Sequence, residues 1–473
     1  MKFSYLLAVV SNRIIALFAV LALSHIMDGH VFGSYTLMAI NALLIHTLIG
    51  NWLAMAATQA IATDADGGLD HSAKFARILK VFACIVIFEC LIAALITVFC
   101  VITDIGVGFS EIAATLAFAL AMLAFDTVTA AKNALGDDAN YLRFNLVRNF
   151  SGNILALAAA WAGGSAALVL SGQTIGIVLA FAFSASALHR WHSALALLSK
   201  TALEARHWIE MLTYGIIGTV ALGLLVLVNS LIRNFVLAVD GPQIAGTYSL
   251  MSDIFYAPIV LLGTSYSLSK MRQLYQLANA APADQILAYR QFIGSIGFLT
   301  IPYGVGGYLV APHIAAMIAP TGMKMTAISI AGLCAAQSAV LTLVFTCVTI
   351  TLTGGKKKKT LTLVISTLLC ILSACVAGSM LGGHTQFASM TMFASIIAAI
   401  ISVAIVGPEI FPWSSLSRTA LASGAMACAV LLLIREGSLV SLVIAIAAGI
   451  AVFSASAFLL RISDWRELIP ART

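Results

Sequence analysis

Stretches of about 20 apolar residues follow one another from end to end of this chain, with connections too short to fold as domains. A bilayer core about 30 Å thick is crossed by roughly 20 residues of α-helix, and within it each backbone N–H and C=O has to be satisfied inside the structure. Each stretch therefore reads as a transmembrane helix. The spans fall at 4–27, 31–54, 79–103, 110–133, 144–163, 164–187, 211–236, 245–268, 291–313, 325–353, 360–382, 386–407, 417–435 and 437–461. The expectation is an all-α polytopic membrane protein of about 14 helices. The divisions at Gly163-Gly164 and at Arg435-Glu436-Gly437 decide between fourteen spans and twelve. The first apolar segment runs into the second without a small-residue cleavage motif, so it reads as helix 1 and not as a cleaved signal.

Composition closes off a soluble alternative: with 61% hydrophobic and 9% charged residues, no segment of about 100 residues has the make-up of a domain outside the lipid. The few charges are sorted. With the N-terminus inside, twenty basic residues fall in cytoplasmic segments, among them Lys74, Arg190, Lys270, Arg290, Lys356 to Lys359 and Arg466. The outer loops hold only Lys324 and Arg435, and three arginines lie inside spans, which accounts for all 25. Cytoplasmic loops hold the excess of Lys and Arg, so an even number of spans with both termini cytoplasmic is expected. The net charge of +6 belongs to this inner-surface bias and to anionic lipid headgroups, not to a nucleic-acid face. Lys356 to Lys359 reads first as an orientation signal, with docking of a partner as the other reading. Trp191, Trp208, Trp413 and Trp465 fall near inner boundaries, where amphipathic rings prefer to sit. The eight cysteines lie within spans without a CxxC and read as small apolar fillers, so neither a metal site nor a cofactor is expected.

A repeat is visible. Span 2 opens with Asp28-Gly29 and Gly33-Ser34-Tyr35-Thr36-Leu37-Met38, and span 8 opens with Asp240-Gly241 and Gly246-Thr247-Tyr248-Ser249-Leu250-Met251. Six spans separate the copies, an even offset that makes the repeats parallel. Two six-helix lobes, 1–200 and 201–410, with two further helices and a cytoplasmic tail at 411–473, are the expected division. The Gly-x-Tyr-x-Leu openings, with Asn229-Ser230-x-x-Arg233 ahead of the second, resemble the bacterial polysaccharide flippases. These are the O-antigen, capsule and exopolysaccharide exporters, which share a superfamily with the multidrug and toxic-compound extrusion transporters and the lipid II flippases. The resemblance implies two lobes that rock by alternating access in the bacterial inner membrane. They would carry an undecaprenyl-pyrophosphate-linked oligosaccharide from the inner to the outer leaflet, with other polysaccharide assembly proteins as partners.

The intramembrane charges supply the chemistry. A charge at the bilayer centre costs roughly 2.5 to 3.5 kcal/mol on insertion scales, so such groups are paired or functional. The set is Arg13, His46, Glu89, Asp126, Arg148, Arg233 and Asp253. A pyrophosphate calls for forked, permanently charged donors, which makes Arg13, Arg148 and Arg233 the candidate substrate-binding residues. Each has a rival reading: Arg13 pairs with Glu89, Arg148 snorkels to the inner interface, and Arg233 bridges to Asp253 at similar depth. Glu89, Asp126 and Asp253 are the candidate ion-coupling acids, for H+ or Na+. His46 reads either as a satisfied interior histidine or as a proton relay. Pro258 in span 8 and Pro302, Gly304 and Gly306 in span 9 mark places where a helix bends, or where glycines let helices pack closely.

An enzyme is disfavoured. A membrane glycan polymerase would present a large outer loop, whereas no outer loop here is longer than the stretch 314–324, and no P-loop, HExxH or nucleophile elbow is present. The rival transporter is a drug/cation antiporter of the same fold, for which an acid-dominated interior is expected. The non-transport alternative is a structural subunit of an export complex.

Overall fold

The computed structural model describes residues 3–50, 53, 80–87, 90–91, 108–134, 138–182, 205–277, 281–435 and 438–462, and among these there is no strand. The helices are α1 (Phe3–Ile26), α2 (Gly29–Ile45), α3 (Phe109–Ala134), α4 (Asp138–Trp161), α5 (Ala166–Ala182), α6 (Ala205–Leu277), α7 (Pro282–Ile318), α8 (Lys324–Thr353), α9 (Lys357–Leu381), α10 (His384–Val406), α11 (Trp413–Leu433) and α12 (Leu439–Leu459). Among the described residues, nine helices are long and apolar enough to cross a membrane. The chain is a multi-pass membrane protein.

Both doubtful divisions are real. After Trp161 the chain turns through Gly163, whose φ of +73° is open to glycine at little cost, and α5 starts at Ala166. The last two helices are likewise separate, ending at Leu433 and restarting at Leu439. The longest helix, α6, is two spans. Twenty-three residues of straight helix would set Asn229 and Ser252 about 35 Å apart, yet Ser252 Oγ donates to Asn229 Oδ1 at 3.1 Å. The chain reverses at Gly241, which has φ +81° and is followed by Pro242, a residue suited to the start of a helix.

The chain divides into two compact units, Met1–Val226 and Leu227–Thr473. In the first, α4 packs on α1 and α5, and α5 packs on α2 and α3. The α4–α5 seam is made of small residues. A Cβ on Gly176 would lie 2.2 Å from Gly152 Cα, and one on Gly172 would lie 2.8 Å from the Ala156 nitrogen, so here backbone touches backbone. Ser151 Oγ donates across the seam to the Gly176 carbonyl at 3.0 Å. Without a hydrophobic drive between helices in lipid, this close approach and the interhelical hydrogen bond are what hold them.

In the second unit α7 packs on α8 and α11, and α8 on α10. The span-9 glycines sit in these contacts: a Cβ on Gly304 or Gly307 would come 3.0 Å from Ala339 or Ala335 of α8, and one on Gly306 would come 3.1 Å from Met426 of α11. Close packing is thus what these glycines do in this conformation. Carbonyls close to two of the prolines meet neighbouring helices. Three residues before Pro258 in α6 the Phe255 carbonyl accepts from the Tyr303 hydroxyl of α7 and from Ser338 Oγ of α8, the latter at 3.3 Å. Pro312 removes the N–H that the Tyr308 carbonyl would accept, and Gly332 of α8 lies against that oxygen, leaving only 2.6 Å for a Cβ.

Candidate functional site

The first unit gathers three of the intramembrane charges at one point. At the end of α2 the helix widens into a π-turn, His46–Gly50, that starts at His46. Such π-turns occur often at functional sites. His46 Nε2 lies 2.9 Å from Asp126 Oδ2 of α3, and Arg148 Nη1 of α4 lies 4.0 Å from the other oxygen, Oδ1. One carboxylate is shared between an imidazole and a guanidinium. His46 Nε2 and Asp126 Oδ2 share a hydrogen bond, and His46 Nδ1 is buried with no hydrogen-bond partner among the described residues.

Arg148 is held from the side by apolar groups. Its guanidinium carbon stands 4.4 Å from the centre of the Phe125 ring, one residue before Asp126, and Nη2 meets the Met122 sulfur one turn earlier. Phe125 stacks on Phe144 with ring centres 4.7 Å apart, and Phe181 of α5 closes on both edge-on. The α4–α5 seam holds the helix that presents Arg148, since Gly152 is one turn beyond it. Exposure is graded: the His46 side chain keeps 4% of its surface, Arg148 20% and Asp126 33%. The buried end of the cluster is the imidazole and the open end is the ion pair.

The second unit holds the other pair. Arg233 and Asp253 face each other across the α6 hairpin in a two-pronged ion pair, with the Arg233 side chain 5% exposed and that of Asp253 36%. This is the bridge between neighbouring spans expected as one reading of the two residues. Arg233 Nε is buried with no hydrogen-bond partner among the described residues. Beside it the Tyr248 hydroxyl donates to Gln337 Oε1 at 2.9 Å, and Gln337 Nε2 donates to Ser395 Oγ at 3.3 Å. Tyr35, in the matching Gly-x-Tyr-x-Leu stretch of α2, also has a glutamine partner but in the opposite sense: Gln173 Nε2 donates to the Tyr35 hydroxyl at 2.7 Å. Both tyrosines are 3% exposed. Their glutamine partners went unnoticed in the sequence, where an amide in an apolar run was the available signal.

Arg13 lies on α1 with its side chain outside the described residues, and Glu89 falls outside them altogether. The pairing of Arg13 with Glu89 lies there with them. Among the described residues no group of three or more His, Cys, Asp and Glu is placed to hold a metal ion.

No family model matches the chain, and no curated protein matches it. Solved structures do. A lipid II flippase, MurJ, in its inward closed conformation aligns over 96% of this chain and 98% of its own, with a TM-score of 0.72 and 14% identity. A multidrug resistance MATE family transporter aligns in its inward-facing conformation over 89% of this chain and 97% of its own, with a TM-score of 0.58 and 13% identity. The outward-facing conformation of such a transporter gives 0.56 and 15% over 89% and 99%. At these identities what is shared is the fold.

Proposed function

We propose that this chain is a flippase that moves an undecaprenyl-pyrophosphate-linked oligosaccharide from the inner to the outer leaflet of a bacterial cytoplasmic membrane, by alternating access, for cell-surface polysaccharide synthesis. The observation that carries the reading is the open Asp126–Arg148 pair inside the membrane-spanning part. Ionised groups facing hydrocarbon cost several kcal/mol, so an ion pair that keeps a third and a fifth of its side-chain surface supports a polar cavity on that side of the cluster. Arg148, forked and permanently charged, is the group suited to a diphosphate. Arg13 is the second such group, and Arg233, tied to Asp253, is the third. The likeness in fold to a lipid II flippase over nearly the full length of both chains supports a lipid-linked substrate.

The likeness to MATE transporters and the acid at the open end favour a second reading, a drug/cation antiporter in which Asp126 meets a cationic drug. Cells separate the two. Arg148→Ala and Arg13→Ala proteins, expressed to normal levels, are expected to stop glycan export and to leave lipid-linked oligosaccharide on the inner leaflet. Arg148→Lys keeps the charge but loses the fork, so it recovers only part of the function. Unimpaired export by both alanine variants would remove the binding role. A drug-sensitive cell with unchanged surface glycan after loss of the gene would favour the antiporter.

A further inference from the structure

We infer that the turn between α8 and α9, with Lys356 to Lys359, is a binding site for an anionic phospholipid headgroup whose acyl chains lie along the exposed apolar face of α9. The site stands whether the chain carries a lipid-linked glycan or a drug. α8 ends at Thr353 and α9 starts at Lys357, so the lysines occupy the cap position and the first turn of α9. Gly355, at φ +68°, reverses the chain. Lys356 N–H donates to the Thr351 carbonyl at 2.9 Å, and Thr360 Oγ1 donates to Thr351 Oγ1 at 3.0 Å, which ties the start of α9 to the end of α8. All four lysines are exposed.

Two features set this turn apart from a diffuse basic surface. Lys356 gives α9 no side-chain cap, and among the described residues the amides of Lys358 and Lys359 have no acceptor. Uncapped amides at the positive end of a helix favour an anion. Independently, Tyr289 of α7 is 2% exposed and its hydroxyl has no hydrogen-bond partner among the described residues. That hydroxyl lies against the turn, since a Cβ on Gly354 would come 2.9 Å from it. Gly354 and Gly355 place no side chain between it and a headgroup oxygen that settles on the turn.

The rest of α9 selects a lipid over a soluble anion. Leu361, Ile365, Leu369 and Leu372, spaced by helical turns, are exposed and begin one turn after Lys357, so an apolar stripe runs from the lysines into the span. Such a stripe ending in cations matches an anionic head with hydrocarbon tails. About four to eight lysines or arginines directly beside a span are the pattern that holds anionic headgroups. Lysine suits a single phosphodiester, being a point charge without the fork that favours a diphosphate.

The test is lipid binding to the purified full chain in neutral detergent, counted by native mass spectrometry with dioleoylphosphatidylglycerol and dioleoylphosphatidylcholine as probes. Wild type should bind the first phosphatidylglycerol at least about tenfold more tightly than phosphatidylcholine, and replacing Lys356 to Lys359 together by Gln should remove the difference. Replacing the four by Arg should keep it, because headgroup attraction needs charge. Tyr289→Phe leaves each charge in place and takes no hydrogen bond from the protein. It should weaken phosphatidylglycerol about threefold and leave phosphatidylcholine unchanged. Equal wild-type affinity for the two lipids, or a preference that survives the Gln replacements, overturns the inference. So does full phosphatidylglycerol affinity in Tyr289→Phe, which would reduce the turn to a diffuse basic surface. Displacement by glycerol 3-phosphate at equal concentration would make this a site for a soluble anion, and displacement by a lower concentration of farnesyl diphosphate would make it one for a lipid diphosphate; either result contradicts the assignment.

Discussion

Arg233 and Asp253 are held to different depths, and the difference predicts which is the worse residue to lose. Arg233 has 5% of its side-chain surface exposed and Asp253 36%. Asp253→Asn strands a guanidinium away from solvent, whereas Arg233→Gln strands a carboxylate that already has an open side. Breaking a buried pair by removing one partner costs about 3–5 kcal/mol. Thermal melts in detergent should show Asp253→Asn near that range, Arg233→Gln well below it, and the double variant more stable than Asp253→Asn alone. An equal loss from both single variants would contradict the burial argument. The sequence makes this pair legible because a hairpin brings adjacent spans to comparable depth: counted from Gly241, 233 and 253 differ by about one helical turn. His46, Asp126 and Arg148 were each singled out by their charge, but their meeting was not legible. Eighty residues separate His46 from Asp126, and only the lateral packing of α2, α3 and α4 brings them together.

At the scale of elements, α4 and α5 form the seam that presents Arg148, and glycine is what allows it. Gly176→Ala puts a methyl 2.2 Å from Gly152 Cα, an overlap with backbone that no rotamer relieves, so the helices have to separate. Overpacking of this kind costs about 1–3 kcal/mol. Gly176→Ala is expected to lower the melting temperature and to impair transport together, because Arg148 lies one turn from Gly152. Gly424→Ala, where a Cβ meets nothing within 4 Å, is the matched control and should be neutral or slightly stabilising. Destabilisation by Gly424→Ala equal to that by Gly176→Ala would count against close packing as the cause. The existence of the described helices was readable from apolar run length, and the split at Gly163-Gly164 from glycine itself; their ends were less so, since α6 runs to Leu277 and α7 starts at Pro282, beyond the apolar runs at 245–268 and 291–313, and the run at 79–103 lies mostly outside the described residues. Which small residues meet was not, because Gly172-x-x-x-Gly176 looks the same in sequence whether it faces a helix or lipid. The same holds near Pro258: Tyr303 and Ser338, which donate to the Phe255 carbonyl, come from two other helices.

For the whole molecule the sorting of charge predicts orientation. Cysteine labelling in intact cells should leave 62–78, 188–210, 269–290 and 354–359 unreactive from outside and reactive after permeabilisation. Outside labelling of 269–290 would invert the second half and with it the parallel repeat. Fold class was legible end to end because the bilayer permits so few backbone solutions. Function was legible only as a resemblance, since sugar and ion selectivity depend on how side chains from distant spans converge. The claim that this chain moves a lipid-linked pyrophosphate is tested most directly with the purified protein alone in liposomes carrying a fluorescent polyprenyl-diphosphate oligosaccharide in both leaflets, with quencher added outside. Wild-type liposomes should lose nearly all the fluorescence as inner-leaflet lipid reaches the quencher, while protein-free and Arg148→Ala liposomes hold at about half. A wild-type trace that stops at the protein-free level would contradict the account.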